Sequence, residues 1–154
     1  MPSILFVCTA NRFRSPLAAA LFKSKLQVDK FAQPWRVESA GTWGLEHLPP
    51  MPEALIEAEK RKLDIRAHQS RIVNYTLLKG FDLIIVMEEG HKEALRNEFR
   101  LLEDRIFLLT EVGGGSVYSI PDPYTTQESP EKVANEIESQ IERCFAVLYR
   151  SLYK

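Results

Sequence analysis

The fold is decided by one stretch near the start of the chain, residues 4–22, which read ILFVCTANRFRSPLAAALF. Residues 4–7 are all apolar, which is typical of a buried strand, and that strand ends at Cys8. Ser15 and Pro16 precede a run of helix formers, so Ser15 is expected to cap a helix that begins at Pro16. The stretch therefore predicts a strand, a short loop and a helix.

The loop from Cys8 to Arg14 has the residues for one kind of chemistry. Its backbone N–H groups and the positive end of the helix dipole converge there, which makes a binding site for an anion. A cysteine in such a field loses its proton readily. The planar guanidinium of Arg14 can bind two oxygens of a tetrahedral oxyanion at once. The pattern Cys-x5-Arg-Ser-Pro therefore predicts a thiolate nucleophile beneath a bound phosphate.

The rest of the chain alternates between strand-like and helix-like segments. The strand-like runs are residues 3–8, 36–40, 82–87 and 105–109, and the helix-like stretches are residues 16–28, 52–63, 90–98 and 130–151. This alternation predicts an α/β fold with a parallel sheet and helices on both faces. Ligands bind such sheets at the carboxyl ends of strands where the strand order reverses, and the predicted end of the first strand at Cys8 suits that position.

Composition excludes several functional classes for this chain. The 154 residues suit one domain, 1–154, and the net charge of −1 argues against a general nucleic-acid binder. No apolar run approaches the roughly 20 residues of a membrane span, and residues 1–3 lead into a strand rather than a signal peptide. Two cysteines are too few for a disulfide framework, which favours a reduced, cytoplasmic chain. Cys144, beside the apolar stripe of the last helix, is expected to be buried and inert.

Residues 7–16, VCTANRFRSP, resemble the signature of the low-molecular-weight protein tyrosine phosphatases. Further segments are similar to the same family in the correct order, namely residues 38–43, 68–71, 81–88 and 121–124, the last reading Pro-Asp-Pro-Tyr. The similarity spans nearly the whole chain. It implies a flavodoxin-like open parallel sheet of strand order 2-1-3-4. It also implies hydrolysis of phosphotyrosine in proteins, or of other aryl phosphate monoesters, through a phosphocysteine intermediate.

The resemblance implies a catalytic role for four residues. Cys8 is the expected nucleophile and Arg14 the ligand of the phosphoryl oxygens, while the Ser15 hydroxyl stabilises the sulfur as an anion. Asp122 is the expected general acid, which protonates the leaving oxygen. No metal or other cofactor is expected, and oxyanions such as phosphate or vanadate should inhibit.

The other expected site residues surround the phosphate or support the loop. Those in the loop itself are Thr9, Ala10, Asn11, Arg12 and Phe13. Trp43 and Tyr124 match family positions that wall the cleft and stack on an aromatic substrate. Asn11 is expected to adopt left-handed backbone angles, which asparagine tolerates. In the family the matching asparagine is braced by a serine and a histidine, here Ser39 and His68.

Four positions depart from the family pattern. Phe13 stands where a second cysteine often precedes the arginine, so protection of Cys8 by a neighbouring disulfide is not expected. Ala10 replaces a usual glycine and is tolerated only if its φ is negative. Arg12 adds a cation at the mouth, which would favour substrates with acidic residues beside the phosphate. Glu88 replaces a common aspartate, a milder change.

Three other functions remain open on the sequence alone. An arsenate reductase of the same fold also uses Cys-x5-Arg, but it needs further cysteines, and only Cys144 is available. A catalytically weak module could bind phosphoprotein without cleaving it, although Cys8, Arg14, Ser15 and Asp122 are all present. A phosphatase for phosphoarginine is the third, and a cation at position 12 should repel that substrate.

Overall fold

The apolar runs form four parallel strands in one sheet. In the computed structural model, which describes residues 1–28 and 33–152, the strand order is β2-β1-β3-β4. The strands are β1 (Ser3–Cys8), β2 (Arg36–Gly41), β3 (Leu83–Val86) and β4 (Ile106–Leu108). Every pair is parallel. The predicted strand order and flavodoxin-like fold are confirmed.

The helices cover the two faces of this sheet. They are α1 (Arg14–Val28), α2 (Pro52–Lys60), α3 (Tyr75–Leu78), α4 (Glu89–Glu98), α5 (Leu109–Val112) and α6 (Pro130–Leu152), with a 3₁₀ helix at Arg100–Arg105. The four long helices were expected, but α3 and α5 are single turns, too short to show a helical period. No helix within residues 1–28 and 33–152 is long and apolar enough to cross a bilayer.

Strand β1 separates two hydrophobic cores because successive side chains point to opposite faces. Ile4, Phe6 and Cys8 join the core beneath α1 and α6, whereas Leu5 and Val7 join the core beneath α3 and α4. All five side chains are at most 2% exposed. Burial on both faces is what a central strand of a parallel sheet requires.

The end of β1 lies at the point where the strand order reverses. The chain passes from β1 to β2 on one side and returns to β3 on the other, so Cys8 pairs with Gly41 while Val7 also pairs with Val86. A crevice opens at such a switch point. The loop that follows Cys8 emerges into it.

The start of α1 differs from the prediction. The helix begins at Arg14 rather than Pro16, because the carbonyl of Phe13 already accepts from the N–H of Leu17 at 3.2 Å. Ser15 is thus inside the first turn, and the expectation that it caps the helix was wrong. Its hydroxyl is free of that task and points into the loop instead.

Candidate active site

Strand β2 holds the loop after Cys8 by close backbone contact. The N–H of Thr42 donates to the Cys8 carbonyl at 2.9 Å, and the N–H of Trp43 donates to the Thr9 carbonyl at 3.1 Å. A Cβ placed on Gly41 would lie 2.4 Å from that Thr9 oxygen. Only glycine therefore fits at the end of β2, where it lets the loop pack directly on the strand.

Asn11 organises the loop from its centre. Its φ of 61° is left-handed, as expected. Its side-chain amide donates to the hydroxyls of Ser15 at 2.8 Å and Ser39 at 2.9 Å, and its Oδ1 accepts from the N–H of Arg71 at 3.1 Å. The ring of His68 donates from Nε2 to the Asn11 carbonyl at 2.7 Å. Because burial lowers the pKa of His68, the ring is the neutral donor at physiological pH.

The sulfur of Cys8 receives two hydrogen bonds. The N–H of Asn11 points at it from 3.3 Å, and the Ser15 hydroxyl lies 3.0 Å away. The Ser15 oxygen already accepts from the Asn11 amide, so its single proton can be donated either to the sulfur or to the Ala40 carbonyl, 3.3 Å away. Both groups are therefore placed to donate to a sulfur that attacks phosphorus.

Arg14 connects the loop to two distant segments. Its guanidinium is 2% exposed, and Nη1 donates to Oε2 of Glu88 at 2.6 Å and to the carbonyl of Ile120 at 2.8 Å. Nη2 donates to the Thr9 hydroxyl at 3.3 Å and lies 3.7 Å from Oδ2 of Asp122. The cation is therefore fixed in orientation beside the expected general acid.

A cavity of about 180 Å³ brings these groups together. Its lining is Cys8, Ala10, Arg12, Phe13, Arg14, Met51, Asp122 and Tyr124. A larger groove of about 430 Å³ runs between α1, β2 and residues 64–71, but its lining contains no cysteine. The smaller cavity is the candidate active site because it alone of the two combines a nucleophile, a guanidinium and a carboxylate.

The family follows from comparison with known proteins. The family model for low molecular weight phosphotyrosine protein phosphatase matches residues 3–153. The chain belongs to this family. The resemblance found in the sequence is thus confirmed over nearly the whole chain.

Known relatives within the family differ in their substrates. A protein-arginine-phosphatase of Bacillus subtilis is 30% identical over 148 residues, covering 91% of this chain and 97% of the relative. The human low molecular weight phosphotyrosine protein phosphatase is 31% identical over 130 residues, covering 82% of each chain. Among solved structures, a mutant YwlE arginine phosphatase with a phosphorylated active-site serine superposes with a TM-score of 0.85 at 28% identity, covering 95% of both chains.

Two expected aromatic residues of the family cleft lie in different surroundings. Tyr124 lines the cavity, packs edge-on against Phe13 at 6.0 Å and donates its hydroxyl to Glu53 at 2.7 Å. Trp43 is 77% exposed and is not part of the cavity lining. Its backbone N–H bonds to the loop at the Thr9 carbonyl. In this structure the cleft therefore has aromatic groups on one side.

The structure accommodates the residues at positions 10, 12 and 13, which depart from the family pattern. Ala10 is not among the residues with positive φ, which within the described ranges are Asn11, His47 and Lys62 besides two glycines, so its methyl group causes no strain. Phe13 is 4% exposed and belongs to the core beneath α1. Arg12 donates from Nε to the Pro49 carbonyl at 2.7 Å, which holds its guanidinium at the mouth.

Sequence reasoning missed three contributors to this site. Met51 lines the cavity from the turn before α2. Glu88 was noted only as a substitution, yet its carboxylate binds Arg14. His91, 8% exposed, lies with Nε2 2.9 Å from the Thr9 hydroxyl. The sequence pattern Met-Glu-x-x-His after a buried strand could have indicated Glu88 and His91. However, no local pattern shows that these residues lie near residue 14.

The two cysteines are expected to react very differently with alkylating reagents. Cys144 is fully buried, and burial raises its pKa to about 12, so its thiol is protonated and shielded from reagents at pH 7. Iodoacetamide at pH 7 should therefore modify Cys8 and spare Cys144, as read by mass spectrometry of peptides. Inorganic phosphate should slow the modification. Equal labelling of both cysteines in the folded protein would contradict this assignment.

Proposed function

We propose that this chain is a protein-tyrosine phosphatase that hydrolyses aryl phosphate monoesters through a phosphocysteine intermediate. One observation carries the proposal: the Cys8 sulfur, with two hydrogen-bond donors on it, shares a cavity with the guanidinium of Arg14 and the carboxylate of Asp122. Nucleophile, oxyanion ligand and proton donor are the three groups that phosphoryl transfer from an ester requires.

In the proposed first step, the Cys8 thiolate attacks phosphorus in line with the leaving oxygen. The S–P bond forms as the P–O bond to the phenol breaks, and Asp122 gives its proton to the departing oxygen. Arg14 and the loop amides hold the three equatorial oxygens, where charge is spread in the transition state. The relative with a phosphorylated active-site serine supports transfer of the phosphoryl group to this position.

In the proposed second step, water attacks phosphorus and the S–P bond breaks. Asp122, now a carboxylate, accepts a proton from that water, and inorganic phosphate leaves. The Ser15 hydroxyl, 3.0 Å from the sulfur, stabilises the departing thiolate. Asp122 Oδ2 lies 3.7 Å from Arg14 Nη2, so the proposed proton acceptor is beside the group that would hold the phosphoryl oxygens.

Phosphoarginine is the second candidate substrate, because a relative with 30% identity is a protein-arginine-phosphatase. The cavity favours phosphotyrosine. Arg12 lines its mouth and makes no ion pair within the described part of the chain, so its guanidinium is available there to a substrate. A cationic substrate side chain would be repelled, whereas a phenyl ring can pack against the Tyr124 ring that lines the cavity.

The deciding experiment is turnover of p-nitrophenyl phosphate in EDTA, followed by peptides that carry phosphotyrosine or phosphoarginine. We expect hydrolysis without added metal, inhibition by vanadate, and a higher kcat/KM on the phosphotyrosine peptide. No hydrolysis of any of the three would favour a phosphoprotein-binding module, and faster cleavage of phosphoarginine would favour the second candidate. A reducing cytoplasmic setting would suit the free thiol of Cys8.

Arg12 is expected to set a preference for acidic sequence around the phosphotyrosine. Its guanidinium is held at the mouth by the Pro49 carbonyl, where it can form an ion pair with a carboxylate that flanks the phosphotyrosine. Exposed ion pairs of this kind contribute roughly 0.2–1 kcal/mol. The wild type should favour an acidic over a neutral phosphopeptide by about 2- to 5-fold in kcat/KM. Arg12→Ile should remove that ratio while retaining turnover of p-nitrophenyl phosphate. A ratio that the substitution leaves unchanged would contradict the role of Arg12.

A further inference from the structure

The N-terminus of α4 meets the loop after Cys8 through two residues, Glu88 and His91. Glu88 is the N-cap residue of the helix, and its backbone N–H donates to Nδ1 of His91 at 3.2 Å. The His91 ring thus satisfies a backbone N–H at the start of the helix that would otherwise lack a partner. Here both side chains also reach past the helix into the site.

The capping contact determines which ring nitrogen of His91 carries the proton. Nδ1 accepts from a backbone N–H, so in the neutral ring the proton is on Nε2. The ring is neutral because burial, the largest influence, lowers the pKa of His91. Nε2 therefore donates to the hydroxyl oxygen of Thr9, 2.9 Å away.

The same hydroxyl oxygen accepts a second hydrogen bond. Nη2 of Arg14 lies 3.3 Å from it, so His91 and Arg14 occupy both lone pairs of the Thr9 oxygen. On the other side of the guanidinium, Nη1 donates to Glu88 at 2.6 Å. The capping pair of α4 thus holds Arg14 at two of its nitrogens, directly through Glu88 and indirectly through Thr9.

We propose that His91 is a positioning residue, which fixes the Thr9 hydroxyl and through it the plane of the Arg14 guanidinium. This inference rests on the proposed function, since Arg14 is the group that would hold the transferring phosphoryl oxygens. A guanidinium that binds two oxygens at once must keep its plane, and a small rotation loses one of the two bonds. The position of α4 therefore sets the orientation of the catalytic cation.

The competing view is that His91 serves only to cap α4. A cap alone contributes to stability and has no reason to affect the transition state more than the substrate complex. A positioning residue has the opposite signature, because kcat falls more than KM rises. The two views also differ on whether His91 and Thr9 act as one unit.

The test compares His91→Ala, Thr9→Val and the double variant in the full-length protein. We expect His91→Ala to lower kcat on p-nitrophenyl phosphate by about 10-fold, with a smaller change in KM and a weaker inhibition by vanadate. The double variant should resemble Thr9→Val alone, because both changes interrupt one chain of hydrogen bonds. His91→Gln, which retains an N–H donor of similar reach, should restore part of the loss.

Asn74→Ala is the matched control for a lost cap. Asn74 caps α3 by accepting from the Leu77 N–H at 2.8 Å, and it is not part of the cavity lining. It should lower the melting temperature and leave kcat and vanadate inhibition unchanged. If His91→Ala behaves in the same way, or if its effect adds fully to that of Thr9→Val, the positioning role is overturned. A wild type that neither turns over p-nitrophenyl phosphate nor binds vanadate would overturn the proposed function itself.

Discussion

Replacing Cys8 with serine is expected to abolish turnover while leaving the binding of an oxyanion nearly intact. The loop donors and Arg14 do not depend on the sulfur, and a serine hydroxyl fits where Asn11 and Ser15 now contact the thiol. A neutral hydroxyl is a far weaker nucleophile than a thiolate, and no histidine lies within hydrogen-bond distance of the Cys8 sulfur to activate it. Loss of the nucleophile should cost roughly 10⁵- to 10⁶-fold in kcat.

Two measurements check the Cys8→Ser prediction. Steady-state hydrolysis of p-nitrophenyl phosphate gives the loss of kcat, and calorimetric titration with inorganic phosphate gives the binding. Cys144→Ala is the matched control, since that buried thiol lies on α6 outside the cavity, and it should retain full kcat. Appreciable turnover by Cys8→Ser would mean that another group attacks phosphorus, and would contradict the proposed phosphocysteine intermediate.

Replacing Asp122 with asparagine is expected to slow poor leaving groups far more than good ones. The carboxyl is only partly exposed, with Oδ1 accepting from the Tyr124 N–H at 2.8 Å and Oδ2 lying beside Arg14. Asparagine can keep the first contact and hence the loop, but it has no proton to give to the leaving oxygen. General acid catalysis is worth roughly 10²- to 10⁴-fold, so phenyl phosphate should lose about that much.

The leaving-group series is the discriminating measurement for Asp122. A phenolate stabilised by electron-withdrawing groups leaves without a proton, so kcat for such esters should fall much less, and the slope of log kcat against leaving-group pKa should steepen. Asp64→Asn, which alters an exposed carboxylate paired with Arg66, should match the wild type throughout. A uniform loss across the series would assign Asp122 to binding or loop structure rather than to proton transfer.

The loop after Cys8 could be predicted from sequence because its determinants are local. An apolar run, a cysteine and a helix start lie within residues 4–22, and each reflects a short-range preference. Even there, one local rule failed. Ser15 is a favoured capping residue, but its hydroxyl bonds to Asn11, Ala40 and the Cys8 sulfur instead, and the helix begins at Arg14, two residues before the predicted start.

The residues that hold Arg14 could not be predicted, because their contacts depend on tertiary structure. Glu88 is 74 residues along the chain from Arg14, and their hydrogen bond exists only because β3 pairs beside β1. His91 reaches Thr9 across 82 residues for the same reason. Pairing between strands that lie so far apart in the sequence cannot be predicted from local periodicity. The side-chain direction of Trp43 was likewise beyond the sequence, since exposed and cleft-lining tryptophans follow the same strand pattern.

The carboxylate of Glu88 against Arg14 has a consequence for the end of the catalytic cycle. A buried cation with no counter-charge would hold the phosphate dianion tightly, and product would accumulate on the protein. The Glu88 carboxylate, 2.6 Å from Arg14, partly neutralises that charge, so we expect free phosphate to bind less tightly than it would to an unpaired guanidinium. The fixed guanidinium plane can still match the oxygens of a reacting phosphorus. We therefore expect the pair of side chains that orients the arginine also to favour release of product.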